Sequence, residues 1–376
     1  MTIFDPDLRR TEFPALTEMT YLNTAAEGIP PRAVGDALAR YFHDKQRGSP
    51  GRDQHFAVWE QVRRLTAGLY GLDSDEIGLC SNSSEAYNLL SLALNLGAQD
   101  EVVLNDLDFP AGRTPWLQTA SQAGIRCWRA RDGALRVEDL AALLGPRTRL
   151  VTVSLVSYFN GCRVSVPEIA QAVREHSPAL LAVDVTQALG RIPLDLCGAD
   201  FIVSSTHKWI LASHGGGLVG VPRARADELT TPAGGWFNLQ DAFEGDPLRR
   251  FESKPGAASY MAGMPNFPAL YAIGAALDAI TTADVAAIEA QARPLIEGCR
   301  RGLEGLPVEI ITPDGESPPA GILAFRCERM DEVAARLEAE RVIVMHSAGR
   351  LRVALHAYNT EADVERFLSV LSTVLR

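Results

Sequence analysis

The chain has 376 residues, of which 47% are hydrophobic, enough to bury a large core and to form two domains. Its formal net charge is −11 at pH 7, so nucleic acid and anionic membrane are not expected as partners, because both require clustered positive charge. Six scattered cysteines without a Cys-x-x-Cys pair are typical of reduced thiols. Neither a signal-peptide pattern nor a membrane-spanning apolar run is found, so a soluble, cytoplasmic small-molecule enzyme is expected.

Short runs rich in Val, Ile and Leu alternate with helical patterns, which is typical of a mostly parallel sheet flanked by helices. The runs predict seven strands, at 76–80, 101–105, 124–130, 149–156, 179–185, 200–205 and 217–222. Helices are predicted among them at 84–96 and 166–176. After about Pro268, alanine-rich helices precede strands at 320–327 and 350–359, with a helix at 331–340 between them. The pattern predicts an α/β protein whose large domain has a seven-stranded sheet and whose C-terminal domain is a smaller α+β unit.

Ligands of open parallel sheets bind beyond the carboxyl ends of the strands, so the residues after each predicted strand are the informative ones. They are Asn82-Ser83-Ser84, Asp108-Phe109, Ser157-Tyr158, Asp184 with Gln187, and Ser205-Thr206-His207-Lys208. The set offers an amine, an acid, an aromatic ring and several hydroxyls. These groups suit pyridoxal phosphate, whose aldehyde forms a Schiff base with lysine and whose pyridine nitrogen is kept protonated by a carboxylate.

Lys208 and Asp184 can supply the amine and the carboxylate, and Phe109 can stack on the pyridine ring. The phosphate requires a helix N-terminus with hydroxyls, which SNSSEAYN offers, and Ser205 and His207 add donors. Structural interpretations stay open for the same residues. These are a solvated loop position for Lys208, a helix cap for Asp184, a capping box of Asn82 and Glu85 around Ser83 and Ser84, and a core position for Phe109.

The chain resembles the class V aminotransferase and cysteine desulfurase family of fold type I pyridoxal-phosphate enzymes over nearly its whole length. The similar segments are YLNTAAEGIPP, SNSSEAYNLLSLAL, LVSYFNGCRVSVPEI, AVDVTQALGRIPLDL, DFIVSSTHKW, GGWF, AGMPNFPAL and LRVALHAYNTEADVERFL. The Asp-x-x-Gln and Ser-x-His-Lys motifs, in order and one strand apart, are the most specific. The resemblance implies a homodimer, with an N-terminal segment (1–30) near the active site, a large cofactor-binding domain (31–267) and a small domain (268–376).

The resemblance also implies a role for individual residues. Lys208, Asp184 and His207 become the catalytic residues, with Lys208 as the Schiff-base lysine and Asp184 as the partner of the pyridine nitrogen. The remaining implied cofactor contacts are Gln187 and Tyr158 to the ring hydroxyl, Phe109 to the ring face, and Ser83, Ser84, Ser205 and His207 to the phosphate. Arg352, together with Asn23, is expected to bind the substrate carboxylate, a task suited to the bidentate guanidinium.

Departures from the desulfurase pattern are visible at several positions. Phe109 replaces the usual histidine and Tyr158 the usual asparagine, which places the chain nearer to kynureninase-like and epimerase-like members. Met264 replaces a threonine that touches the neighbouring subunit's cofactor phosphate. The segment before Arg352, RVIVMHSAGRLRVALH, contains no cysteine, so sulfur removal through a persulfide is not expected.

The predicted function is therefore pyridoxal-phosphate-dependent amino-group transfer on a small amino acid. Open alternatives are a cysteine, selenocysteine or kynureninase-like lyase, an amino-acid epimerase, a binding module without turnover, and a nicotinamide-dependent dehydrogenase. The GGGLVG run at 215–220 matches the Gly-x-Gly-x-x-Gly motif of dinucleotide-binding proteins. Its glycines, however, precede a strand instead of following one. The histidines show no metal-binding spacing, and no metal is assigned.

Overall fold

The computed structural model describes residues 2–118, 122–315 and 318–375. Its strands are β1 (Thr20–Tyr21), β2 (Ile77–Cys80), β3 (Glu101–Asn105), β4 (Gly124–Trp128), β5 (Thr148–Ser154), β6 (Leu180–Asp184), β7 (Phe201–Ser205), β8 (Gly217–Gly220), β9 (Glu309–Ile310), β10 (Ile322–Arg326), β11 (Val342–Ile343), β12 (Met345–Ser347) and β13 (Arg350–Ala354). Its α-helices are α1 (Arg9–Glu12), α2 (Arg32–Gln46), α3 (Arg52–Tyr70), α4 (Ser83–Leu94), α5 (Pro110–Gln118), α6 (Val137–Ala141), α7 (Val166–His176), α8 (Ala226–Leu229), α9 (Phe267–Ala283), α10 (Val285–Glu304), α11 (Met330–Ala339) and α12 (Glu361–Leu375). Short 3₁₀ helices lie at Pro14–Thr17, Ser49–Gly51, Ser74–Glu76, Arg223–Arg225 and Gly256–Tyr260.

The largest sheet has seven strands in the order β2-β8-β7-β6-β5-β3-β4. β8 runs antiparallel to both of its neighbours, and the other pairs are parallel. The central strands β6 and β7 consist wholly of buried residues, which explains their nearly continuous apolar sequences. All seven strands predicted from the sequence belong to this sheet, so the prediction of an α/β fold with a mostly parallel central sheet is confirmed.

Local capping explains how closely two helices match their predicted bounds. α7 spans the predicted residues 166–176, because the Ser165 side chain accepts a hydrogen bond from the Glu168 amide (3.4 Å) and Pro167 occupies the first turn. α4 ends two residues before its predicted end, since Asn95 takes a left-handed conformation (φ 44°) that terminates the helix.

A second sheet lies in the C-terminal part of the chain. It is antiparallel, in the order β12-β13-β10-β9, and contains the strands predicted at 320–327 and 350–359. Its core includes Phe325 of β10, Leu351 of β13 and Phe367 of α12. The N-terminal segment joins this unit, because β1 pairs in parallel with β11.

The helix α9 connects the two parts of the chain. Its residues Ile273 and Leu277 pack in the same core as Val58 and Val62 of α3, which belongs to the region around the large sheet. The domain boundary predicted after residue 267 stays a prediction, and this packing would place it nearer to residue 284.

Two general properties of the chain bear on its environment. All six cysteines are free thiols. No single helix within the described ranges is long and apolar enough to cross a membrane, and only the pair α9 and α10, bent by 76°, reaches the required length and composition together.

Candidate active site

Lys208 lies in the loop that follows β7, at the carboxyl edge of the large sheet. Its Nζ atom is 5.2 Å from the centre of the Phe109 ring. Burial lowers the pKa of Lys208 to about 8, an effect that the Asp184 charge opposes and the Arg352 charge reinforces. The neutral amine, which acts as a nucleophile or a proton acceptor, is therefore far more populated near neutral pH than in an ordinary lysine.

Asp184 is the last residue of the neighbouring strand β6, and its side chain is buried. The Thr186 amide donates a hydrogen bond to its Oδ1 atom (2.8 Å), and no residue in the described ranges donates to Oδ2. Burial raises the pKa of Asp184, while the hydrogen bond to Thr186 and the charge of Lys208 lower it. One carboxylate oxygen is therefore available to a ligand at the sheet edge.

A second buried carboxylate, Asp108, was not assigned a role by the sequence reasoning. It accepts a hydrogen bond from the Ser154 amide (2.8 Å) and a weaker one from the Thr152 hydroxyl (3.4 Å). Burial raises its pKa to about 6, and the negative charge of Asp184 contributes to the rise. These hydrogen bonds fix the position of Asp108 and so of the next residue, Phe109. In the sequence, the only indication that Asp108 belongs to the site is that it directly precedes Phe109.

Phe109 and Tyr158 form an aromatic wall beside Lys208. Their ring centres are 5.0 Å apart and the rings are perpendicular. Phe109 is 45% exposed although it lies at the sheet edge among buried groups, so its face is accessible to a planar ligand. The interpretation of Phe109 as a core residue is therefore not supported.

The start of α4 presents hydroxyl groups next to the end of β7. The Ser205 hydroxyl donates to the Ser83 hydroxyl (2.9 Å), and the Ser205 amide donates to the Thr186 hydroxyl (3.0 Å). Asn82 caps the helix by accepting from the Glu85 amide (2.9 Å), whereas the Glu85 carboxylate accepts from Ser81 and not from Asn82.

The predicted capping function of Asn82 is thus present, but the reciprocal bond of a capping box is shifted by one residue. Ser83 is buried and Ser84 is exposed at the same helix N-terminus. Backbone N–H groups and hydroxyls at such a position suit a phosphate group.

His207 lies beside Lys208 and stacks on a second imidazole. The ring centres of His207 and His214 are 4.5 Å apart, and His214 Nε2 is 3.2 Å from a carboxylate oxygen of Glu27. Burial and the positive charge of Lys208 lower the pKa of His207 to about 4, so this ring is neutral. Glu27, His207 and His214 form a cluster of potential metal ligands. Because the two imidazole rings are stacked, the lone pairs in their ring planes do not point at a common ion, and we assign no metal to the cluster.

Gln187 is buried and already has protein partners. The Trp209 indole donates to its Oε1 atom (2.7 Å), and its Nε2 atom donates to the Ala25 carbonyl (3.0 Å). An amide nitrogen carries two hydrogens, so one remains for the ring hydroxyl that the resemblance assigns to Gln187.

Arg352 lies in β13 of the smaller sheet and reaches across to the loop after β5. Its Nη1 atom donates to the Tyr158 carbonyl (2.7 Å), and Nη2 lies 3.5 Å from the Asn23 Oδ1 atom. The side chain is buried, its Nε atom has no partner, and no carboxylate of the described residues lies within 4.0 Å. Burial lowers the pKa of Arg352 to about 10, so the group stays charged at neutral pH. A buried cation without a counter-ion favours an anionic ligand.

We expect the substitution Arg352→Met to lower kcat/KM for an amino acid about 100-fold, mostly through KM, because charge-assisted hydrogen bonds to the substrate carboxylate are lost. Steady-state kinetics at saturating cofactor measures this effect. Arg352→Lys keeps the positive charge but lacks the planar guanidinium with its parallel N–H donors, and it should recover part of the lost kcat/KM. Unchanged kinetics in Arg352→Met would exclude this arginine as the carboxylate ligand.

The N-terminal segment covers the lysine loop. The Gly28 amide donates to the His207 carbonyl (2.8 Å), and a Cβ atom at Gly28 would lie only 2.0 Å from the Lys208 carbonyl oxygen. Asn23 and Ala25 of the same segment contact Arg352 and Gln187, as described above. Residues 23–28 therefore form one wall of the site.

Replacing Gly28 by alanine should destabilise the protein by about 1–3 kcal/mol, because the added methyl group overlaps a backbone oxygen that cannot easily move. Thermal unfolding measures the loss. Gly35→Ala is the matched control: it lies on the exposed side of α2, where a Cβ meets nothing within 4 Å, and should leave the unfolding temperature the same or slightly higher. Equal unfolding temperatures for both variants would contradict the close approach of residue 28 to the lysine loop.

The residues predicted from the sequence to form the site come from seven segments of the chain, which the fold brings to the same edge of the large sheet. The donor set fits pyridoxal phosphate: an amine of lowered pKa, a buried carboxylate with an available oxygen, an accessible aromatic face, and hydroxyls at a helix N-terminus. Glu27, His214, Asp108 and Thr186 are additional members. His214, beside the glycine turn, could be interpreted from the sequence either as a substrate contact or as a cap of that turn. Glu27 carried no readable signal, because its proximity to His214 depends on the fold of two distant segments.

Comparison with known proteins agrees with the site. The family model described as aminotransferase class V matches residues 20–367. An uncharacterized aminotransferase, YcbU, of Bacillus subtilis is 26% identical over 98% of this chain and 97% of its own length. Isopenicillin N epimerase of Streptomyces clavuligerus is 27% identical over 94% of both chains. A structure of cysteine desulfurase from Thermococcus onnurineus has the same fold, with a TM-score of 0.89, 22% identity and 98% coverage of both chains.

The fold and the site together define a pyridoxal-phosphate enzyme of fold type I. The chain belongs to the class V aminotransferase family, since the family model covers most of its length. The resemblance inferred from its motifs is thus confirmed.

Proposed function

We propose that this protein is an aminotransferase that moves the amino group of a small amino acid to a keto acid, with Lys208, Asp184 and His207 as its catalytic residues. The family is consistent with several reactions, because its relatives include an aminotransferase and an epimerase. The observation that supports amino-acid chemistry most strongly is Arg352, a buried guanidinium without a carboxylate partner among the described residues, close enough to Lys208 to lower the pKa of that amine.

The roles of the residues follow from their contacts. Arg352 and Asn23 bind the substrate carboxylate and orient the Cα–H bond toward Lys208. Lys208, whose amine has a lowered pKa, would take up the proton from Cα of the amino acid and would give a proton back to Cα when the keto acid is converted in the opposite direction. When bound, the cofactor supplies an electron-accepting ring that stabilises the negative charge left by proton loss.

Asp184 would hold the proton of the pyridine nitrogen, and Thr186 keeps the carboxylate in place through Oδ1. Phe109 would stack on the ring, while Tyr158 and Gln187 would contact its hydroxyl group. Ser83, Ser84, Ser205 and His207 would bind the phosphate. The neutral state of His207 limits it to donating or accepting a hydrogen bond there.

Removal of sulfur through a persulfide is not favoured. The segment before Arg352 contains no cysteine, and burial raises the pKa of the Cys80 thiol, next to the phosphate-binding turn, to about 12. A thiol that stays protonated is a poor nucleophile. Elimination and epimerisation require no thiol and are left as outcomes of the test below.

The protein is proposed to work as a cytoplasmic homodimer. Support for the dimer comes from the exposed apolar side chains of Trp236, Phe243, Leu248 and Met264, which lie in one segment of the chain. Free thiols at all six cysteines support a reducing compartment. A monomeric mass in sedimentation equilibrium would contradict the dimer, and localisation of a tagged protein outside the cytoplasm would contradict the compartment.

The test is incubation of the cofactor-loaded protein with single amino acids and no keto acid. Amino-group transfer predicts a shift in the cofactor absorbance and release of one equivalent of keto acid for each active site. Catalytic formation of pyruvate, alanine, sulfide or the opposite enantiomer, with the initial spectrum retained, would replace the proposal by a lyase or an epimerase. Protein that binds the cofactor but changes no amino acid would be a binding module.

A further inference from the structure

Strand β13 carries a second buried arginine, Arg350, two residues before Arg352. Alternate residues of a strand face the same side and lie about 7 Å apart. Both arginines are buried, with exposures of 2% and 3%, whereas Leu351 and Val353 point into the core of the smaller domain. The two guanidinium groups therefore share the face of the sheet that lies toward the active site.

Both arginines reach the same loop of the large domain. Arg350 Nε donates to the Phe159 carbonyl (2.6 Å), and Arg352 Nη1 donates to the preceding carbonyl, that of Tyr158 (2.7 Å). Arg350 Nη1 also donates to the Ser347 carbonyl (3.1 Å). These acceptors are neutral backbone groups, so none of them balances the positive charge.

No acidic side chain in the described ranges lies within 4.0 Å of either guanidinium. Burial lowers the pKa of Arg350, and the charge of Arg350 lowers the pKa of Arg352 further. The Nη2 atom of Arg350 has no hydrogen-bond partner among the described residues. Two neighbouring buried cations are costly unless anions compensate them, and one α-carboxylate compensates only one.

We propose that Arg350 binds a second acidic group, so that the preferred substrates are amino acids with a side-chain carboxylate, such as aspartate or glutamate. This inference rests on the proposed function, because it assigns the α-carboxylate to Arg352. The Phe159 and Tyr158 rings, 4.0 and 5.6 Å from the Arg350 guanidinium carbon, orient the guanidinium plane. The side chain is thus held with its Nη2 atom left to donate to a carboxylate.

Binding of simple carboxylates to the cofactor-loaded protein tests the proposal without turnover. Isothermal titration calorimetry should show that succinate binds at least about 10-fold more tightly than butyrate. Arg350→Met should weaken succinate binding about 10- to 100-fold and butyrate binding less than about threefold. Arg350→Gln repeats the test with a polar side chain in case the methionine variant folds poorly. Arg336→Met, which removes an exposed arginine on α11 that already pairs with Glu340, is the control and should bind both compounds as the parent does.

Kinetics complete the test. Arg350→Met should lower kcat/KM for glutamate or aspartate about 10- to 100-fold and that for alanine less than about threefold. Equal affinity of the parent protein for succinate and butyrate, or an equal loss for acidic and neutral amino acids, would overturn the proposal. If the protein releases keto acid only from neutral amino acids, the proposed function stands and the assignment of Arg350 fails. If succinate binds as expected but no keto acid forms from any amino acid, the proposed function fails instead.

Discussion

Lys208→Ala should reduce turnover at least about 1000-fold while the protein stays folded, since the substitution removes the amine to which we assign both the attachment of the cofactor and the movement of the substrate proton. The free energy of unfolding should change little. Burial lowers the pKa of this amine, so its charged form does not stabilise the folded protein. Turnover with each amino acid and circular dichroism of the same sample measure the two effects.

The chain offers good controls for this experiment, because its lysines are Lys45, Lys208 and Lys254. Lys45 is exposed at the end of α2, and Lys45→Ala should keep full activity. A high concentration of methylamine should restore part of the activity of Lys208→Ala, but none in a variant that is merely unfolded. Full turnover in Lys208→Ala would remove the basis of the catalytic assignment.

Asp184→Asn should lower kcat about 100- to 1000-fold, because a neutral amide no longer stabilises the protonated pyridine nitrogen as charge develops in the ring. Asparagine retains an oxygen that accepts from the Thr186 amide, so the local structure is maintained. Burial raises the pKa of Asp184, which indicates that its charge is costly in the folded protein. The asparagine variant should therefore unfold at the same temperature or higher.

Asp108→Asn is the matched control for Asp184→Asn. Asp108 is equally buried and also accepts from a backbone amide, that of Ser154, but its hydrogen bonds run to β5 and not to the loop beside Lys208. Its replacement should reduce kcat less than about 10-fold. Similar losses in the two variants would show that a buried charge in this region matters in general, and that Asp184 has no special relation to the ring nitrogen.

The sequence was sufficient to predict the large sheet because its central strands are buried on both faces. β6 and β7 are therefore continuous apolar runs, and each ends in the polar residue that faces the site, Asp184 or Ser205. Helix α7 was equally readable, since Ser165, Pro167 and Glu168 mark its start. Short strands were not: β1 and β11 have two residues each and pair across more than 300 positions, which no local pattern records.

The same distinction applies to the site. Lys208, Asp184 and Ser83 follow directly from strand ends and a helix start, so their positions were predictable. The hydrogen bonds of Gln187 with Trp209 and Ala25, the stacking of His207 on His214, and the hydrogen bonds of Arg350 and Arg352 to the loop after β5 depend on contacts between distant segments. Tertiary packing determines these contacts, and residue spacing alone does not contain them.

Lys208 is proposed to carry the cofactor, and reduction of that linkage identifies the lysine that forms it. The purified, cofactor-loaded protein is reduced with borohydride, digested, and mapped by mass spectrometry. We predict that the mass of the reduced cofactor appears on the peptide containing Lys208 and on neither of the other lysine peptides. Label on Lys45 or Lys254, or no covalent label in a protein that has demonstrably bound the cofactor, would contradict the account.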